Sequence, residues 1–260
     1  MVKRLKACLN GGRRRSDHPA VPVTPDELAV AAAAAVAAGA EAVHLHPRGS
    51  DGAESLHPDD VAAAVSAVRR ACPATPIGVS TGLWITENDH VARSALVAGW
   101  APLPGPARPD FASVNLSETG AHPLADLLRD AGIGVEAGVW SVADADRIAP
   151  TGWWRILVEM IEVPAGAAVA AAERVLRRLD ERGVRGPRLL HGEGSACWPL
   201  VAHAGRLGLP TRVGLEDTVH GPGGEAVADN GELVRLGLAV WAGRVRVDPA
   251  TVAPDVTGET

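Results

Sequence analysis

The chain predicts a closed (β/α)8 barrel, a TIM barrel, built as one α/β domain. Three observations predict it. Apolar runs of about five residues alternate with longer segments of helical character, as in βαβ units. The alternation recurs eight times across the 260 residues, which is the count and length of a closed barrel. Glycines at 39, 132, 183 and 208 fall where the helical segments should stop. A doubly wound open sheet is the alternative, because periodicity does not distinguish a closed sheet from one with edges.

Strands are expected at residues 6–10, 42–46, 77–80, 111–115, 134–138, 155–158, 187–191 and 211–215. Helices are expected between and after them, at 24–38, 57–71, 86–98, 122–131, 141–148, 165–182, 195–207 and 226–241. The first helix opens on Thr24-Pro25-Asp26-Glu27. That order supplies a capping hydroxyl, a proline at the first helical position and acids facing the positive end of the dipole. The four prolines of residues 99–110 mark a long irregular loop, a candidate cover for an active site or a partner-binding surface. Residues 1–247 form the barrel in this reading and 248–260 a C-terminal tail.

Composition narrows the function. Hydrophobic residues make up 47% and charged ones 22%, enough apolar surface for a folded core. A net charge of −6 argues against nucleic acid or an anionic membrane as partner. One Phe and no Tyr leave little to stack single-stranded bases on. Cys8, Cys72 and Cys197 are odd in number and lack CxxC spacing, which fits a reduced, cytoplasmic chain. The longest apolar run, residues 28–38, is mostly alanine and too short to span a bilayer.

The chemistry begins at Glu41–Gly52, EAVHLHPRGSDG. Residues two apart on a strand face the same way, so Val43 and Leu45 can pack outward while His44 and His46 face the barrel axis. Their imidazoles, about 6–7 Å apart along the strand, stand where barrel enzymes place chemistry. The eighth strand, TRVGLEDT, puts Arg212, Gly214 and Glu216 on one face, with Gly214 leaving room. His44, His46 and Glu216 make a His2Glu set with open positions, which suits catalytic zinc. Asp217, at the strand end, is placed to accept a hydrogen bond from a residue behind the ligands or to act as a general base. The plainer readings are two hydrogen-bonded core histidines, and an Arg212–Glu216 or Arg212–Asp217 ion pair.

Other strand ends add polar groups: Ser80-Thr81-Gly82 on the third, Asn115 on the fourth, Glu136 on the fifth and Glu159 after the sixth. His191-Gly-Glu-Gly-Ser195 opens a helix with backbone N–H groups that could hold an anion. Asn10 and Arg13 flank Gly11-Gly12 beyond the first strand.

HLHPR and RVGLED, with TPDEL, GVSTG, ASVN and LVEMIEVPAG in order between and around them, resemble the β-keto acid cleavage enzymes over nearly the whole chain. The resemblance implies a zinc-dependent, oligomeric barrel, a dimer or tetramer. Such a barrel condenses a β-keto acid with acetyl-CoA, then cleaves the adduct to acetoacetate and a new acyl-CoA. It implies His44, His46 and Glu216 as zinc ligands, Arg212 and Asp217 as the catalytic acid–base pair, and Ser80 on the substrate carboxylate. Asn10, Arg13, Thr81, Gly82, Asn115 and Glu136 are the expected substrate contacts. Two departures stand out. Arg13 occupies the place of an acidic residue in the family member that takes an amino-bearing substrate, so the tail is expected not to be cationic. Asn115 stands where a threonine is familiar. The alternatives are a metal-dependent hydrolase on the same barrel and a barrel that binds a metabolite or metal without turnover.

Overall fold

The computed structural model describes residues 2–247, so the expected tail lies outside the described residues. Each strand is a short apolar run whose alternate side chains are buried on both faces. The eight strands are β1 (Leu5–Cys8), β2 (Ala42–Leu45), β3 (Ile77–Ser80), β4 (Phe111–Asn115), β5 (Gly134–Val139), β6 (Arg155–Met160), β7 (Arg188–Gly192) and β8 (Thr211–Val213). Helices α1 (Pro25–Ala37), α2 (Pro58–Ala71), α3 (His90–Ala98), α4 (Ala121–Asp130), α5 (Val142–Arg147), α6 (Ala165–Glu181), α7 (Cys197–Leu207) and α8 (Asn230–Trp241) follow them in turn.

Parallel ladders run β8-β1-β2-β3-β4-β5-β6-β7. The seam between β7 and β8 is closed by the Leu190 N–H donating to the Pro210 carbonyl at 3.0 Å. The Thr211 hydroxyl donates to the Leu190 carbonyl at 2.8 Å across the same seam. Closure decides for the (β/α)8 barrel and against the open sheet.

Outward-facing Leu5, Ala7, Val43, Leu45, Ile77, Val79 and Val213 join the helices in one continuous apolar layer. The inside of the barrel is partly charged. Lys6 donates to Glu136 at 2.5 Å, Arg155 pairs with the other Glu136 oxygen, and both cations sit near the Phe111 ring. Gly78 makes room for that ring: a Cβ there would stand 2.0 Å from it. Glu136 is therefore a buried tie between β1, β5 and β6. Both oxygens of this expected substrate contact are committed inside the barrel.

The third helix and the proline-rich segment depart from the sequence reading for physical reasons. The third helix begins at His90, not near 86, since Asp89 caps it by accepting from the Val91 and Ala92 N–H groups. Residues 99–110 do not cover the site. Gly99 abuts Pro58 at the start of α2, the Trp100 indole donates to the Leu56 carbonyl, and Arg69 in the last turn of α2 pairs with Asp110. The prolines thus run along the outer wall beside α2.

Candidate active site

At the carboxyl ends of the strands lies a cavity of about 590 Å³ walled by His44, His46, Ser80, Asn115, Glu159 and Arg212, among others. The two histidine Nε2 atoms are 3.2 Å apart, and Glu216 Oε2 lies 3.9 Å from His44 Nε2 and 3.7 Å from His46 Nε2. Those three atoms form a triangle of the size that one ion at about 2 Å from each ligand requires. Glu216 Oε2 is buried with no hydrogen-bond partner. Leaving a carboxylate oxygen so is costly unless something else takes its lone pair.

The tautomer is set from outside the triangle. Glu54 lies 2.5 Å from His46 Nδ1, so that nitrogen carries a proton and Nε2 is the one that faces the triangle. Trp84 stacks on the His46 ring, 6.4 Å between centroids, and its indole donates to the other Glu54 oxygen at 3.0 Å. Asn10 clasps the backbone of His46, accepting from its N–H at 2.9 Å and donating to its carbonyl at 2.8 Å. His44, His46 and Glu216 thus fit a divalent ion on the chemistry of their donors.

Beyond Val213 the chain leaves the strand. The N–H groups of Asp217 and Thr218 both donate to the Gly214 carbonyl, at 2.9 and 3.1 Å. This turn lets the adjacent Glu216 and Asp217 reach the same guanidinium. Arg212 Nη2 donates to Glu216 Oε1 at 2.9 Å and to Asp217 Oδ1 at 2.7 Å, and Nε donates to Asp217 Oδ1 at 3.0 Å. The expected ion pairs are therefore both present, alongside the ligand triangle rather than in place of it. Gly214 does not open the pocket. A Cβ there would meet the Cys8 carbonyl at 1.8 Å, so the glycine lets β1 approach.

Environment pushes the two carboxyls apart. Burial opposes ionisation at both; Arg212 and the two imidazoles outweigh it at Glu216, which is held well below the usual carboxylate range. At Asp217 burial prevails over Arg212 and His191, and the carboxyl is raised. A raised carboxyl beside a committed one is the pattern of a general base next to a ligand.

The sequence profile of the β-keto acid cleavage enzymes matches residues 4–254. The chain belongs to that family. It is 28% identical over 261 residues to the 3-keto-5-aminohexanoate cleavage enzyme of Fusobacterium nucleatum subsp. nucleatum, covering 94% of each chain. A 69-residue stretch is 42% identical to the 3-oxoadipate:acetyl-CoA acetyltransferase of Cupriavidus necator, covering 26% of this chain and 24% of that one. Among solved structures, apo ObcA is similar with a TM-score of 0.66 at 21% identity, over 90% of this chain and 64% of ObcA. At that identity the likeness is one of fold, and this chain spans less than two thirds of ObcA.

In this β-keto acid cleavage enzyme the expected site residues divide. Ser80, Arg13, Asn115, Arg212 and the three ligand candidates line the cavity, while Asp217 lies behind Arg212. Asn10, Thr81 and Gly82, expected as substrate contacts, lie outside that cavity wall. The Asn10 amide is used on His46 and the Pro22 carbonyl. The Thr81 hydroxyl is used on the Ser113 carbonyl. The Gly82 N–H is used on Ser80 Oγ, and a Cβ at Gly82 would strike the Trp84 ring. The HGEG loop is no anion cradle either: the Glu193 N–H donates to the Met160 carbonyl and the Gly194 N–H to the Asp217 carbonyl. Glu54 and Trp84 escaped the sequence reading. Glu54 is brought in by the fold of the β2–α2 loop, where Arg48 and Glu54 pair as an antiparallel bridge, and Trp84 by the turn between β3 and α3.

Proposed function

We propose that the enzyme condenses a β-keto acid with acetyl-CoA and cleaves the adduct to acetoacetate and a new acyl-CoA. The supporting observation is the ligand triangle of His44, His46 and Glu216 beside the Arg212–Asp217 pair. The activities in the names of the Fusobacterium and Cupriavidus relatives, and a structure titled as ObcA with a C4-CoA adduct, support the same reaction.

His44, His46 and Glu216 would hold a zinc ion, which would supply Lewis-acid stabilisation of the negative charge that develops on a keto oxygen. Ser80 Oγ already accepts the Gly82 N–H at 3.2 Å, so its own proton is free to bind the substrate carboxylate. Asp217, fixed through Oδ1 behind Arg212, is the base of the pair: the Arg212 guanidinium on the cavity wall takes the C2 proton as it gives one of its own N–H protons to Asp217. The resulting carbanion attacks the acetyl thioester and expels CoA thiolate. That thiolate attacks the original keto carbon, the C2–C3 bond breaks to give the new acyl-CoA, and the proton held by Asp217 returns to the acetoacetate carbanion. Arg13 and Arg14 on the cavity wall favour a tail that is not cationic. Cys8, Cys72 and Cys197 form no disulfide among the described residues, which suits a reducing cytoplasm. Val30, 71% exposed beside an apolar groove of Pro19, Val21, Ala31 and Ala34, suits a homo-oligomer, dimer or tetramer.

The test is product analysis with β-keto acids of cationic, neutral and anionic tail, each with and without acetyl-CoA. Acetoacetate release that needs acetyl-CoA is expected, with the amine poorest. Breakdown independent of CoA would favour the hydrolase, and a clear preference for the amine would refute the tail reading. Asp217→Asn should lower kcat by about 100-fold or more with metal content unchanged.

A further inference from the structure

His191, on β7, is completely buried, and neither the ligand triangle nor the proposed reaction uses it. Its two nitrogens face two acids. Nε2 lies 2.7 Å from Glu159 Oε2, and Nδ1 lies 3.8 Å from Asp217 Oδ1. Glu159 is held from its other oxygen, where Oε1 accepts the Trp140 indole N–H at 3.1 Å. A carboxylate only accepts hydrogen bonds, so the nitrogen facing Glu159 carries a proton. That leaves Nδ1 as the nitrogen able to take one up. Nδ1 is buried without a hydrogen-bond partner among the described residues, and so is Asp217 Oδ2. Orphaned atoms on two neighbouring buried side chains are costly unless another state of the site pairs them.

Asp217 as a carboxylate has no need of His191. Its Oδ1 accepts from Arg212 Nη2 at 2.7 Å and from Nε at 3.0 Å. A protonated Asp217 is different. A guanidinium only donates, so an O–H on the oxygen facing Arg212 has to turn to an acceptor elsewhere. Glu193 and Glu216 bring carboxylate oxygens within 4.8 Å. Both are drawn to the same guanidinium, with Oε1 atoms 3.5 and 2.9 Å from Arg212 Nη2. His191 Nδ1 is unclaimed, and a rotation that closes about 1 Å brings it into hydrogen-bond reach of Asp217 Oδ1.

We infer that His191, set by Glu159, is the positioning residue that accepts a hydrogen bond from Asp217 while Asp217 holds a proton during turnover. The inference rests on the reaction proposed above, in which Arg212 takes the C2 proton and gives one of its own to Asp217. The new O–H of Asp217 donates to His191 Nδ1, no other bond forms or breaks, and the proton returns by the same route when the acetoacetate carbanion forms. Carried to completion, the transfer leaves an imidazolium between the Glu159 and Asp217 carboxylates, two charges of opposite sign to its own. His191 thus gives a place to a proton that would otherwise sit against a fixed cation.

Two substitutions separate the roles of the two nitrogens. His191→Gln sets its amide near the position of Nε2, keeping the bond to Glu159 and losing the acceptor toward Asp217. His191→Asn sets its carbonyl near the position of Nδ1 and does the reverse. His191→Gln is expected to lower kcat by about 10–100-fold with KM for the β-keto acid and bound metal unchanged, and His191→Asn to recover most of that loss. An equal loss in both variants, a loss that appears in KM or metal content instead, or full turnover by His191→Gln overturns the assignment. The wild-type enzyme supplies a readout that needs neither substitution nor turnover. Nitrogen NMR of the resting protein should find the His191 proton on Nε2 and Nδ1 bare; a proton on Nδ1 overturns the assignment too. Absence of turnover for every keto acid tried overturns the reaction instead, and the NMR signal still decides which nitrogen faces Asp217 bare.

Discussion

Glu54 shows how a site depends on a side chain that need not touch substrate. Its carboxylate holds His46 Nδ1 and the Trp84 indole at once, so it sets both the tautomer of a ligand and the ring stacked on it. Glu54→Ala should weaken the affinity for zinc by about 10–100-fold, read by competition with a chromophoric chelator. Its structure should survive, since Glu54 lies in a loop and not in the apolar layer. Asn10 carries a related lesson. From the sequence it reads as a polar residue at a strand end, and so as a substrate contact. In the fold both ends of its amide are spent on the His46 backbone. Residue type and strand position announce a polar group near the site; only its hydrogen-bond partners say whether it faces the substrate or holds something that does.

Helix α1 was the most legible element. Thr24 accepts the Glu27 N–H at 3.3 Å while Glu27 accepts the Thr24 N–H at 3.0 Å, the reciprocal box that TPDE announces. Thr24→Ala should cost about 1 kcal/mol of stability, measured as a lower denaturant midpoint at unchanged slope. Strand β8 was legible only in part. Alternation brought Arg212 and Glu216 to one face, but the strand ends at Val213 and a turn on the Gly214 carbonyl does the placing. The turn was hidden because Gly214 reads equally well as a gap in a pocket wall and as a point of close backbone approach. The proline-rich segment failed for a different reason. Its composition reports an irregular path, not which side of the barrel wall that path follows.

The barrel as a molecule carries a buried charge cluster where an aliphatic core is usual. Burial drives the Glu136 carboxyl up, but Lys6 and Arg155 overcome it and hold it at about 2. A depressed carboxyl contributes stability that is fully present above its unfolded value, about 4.3. That contribution, on the order of 3 kcal/mol, is lost as the pH falls from about 4 towards 2. Glu136→Gln should lower stability at neutral pH, because it leaves two buried cations short of charge, and flatten the decline between pH 4 and 2. Denaturant titrations of both proteins across that range check it. An equal slope in the two proteins would place the acid sensitivity elsewhere.

By itself the sequence determined the eightfold alternation, the cap of α1, the three candidate ligands and the family. Each is written in local spacing or in motifs, and local spacing follows directly from the period of a strand or a helix. Among the described residues, the tertiary structure alone decided that the sheet closes through Leu190 and Thr211. It alone brought Glu54 behind His46, paired Asn10 with the His46 backbone and Glu136 with Lys6, and turned the Asn115 carbonyl toward Gly138. These are pairings between groups far apart along the chain. Which partner a polar atom finds depends on distances that exist only once the barrel has closed.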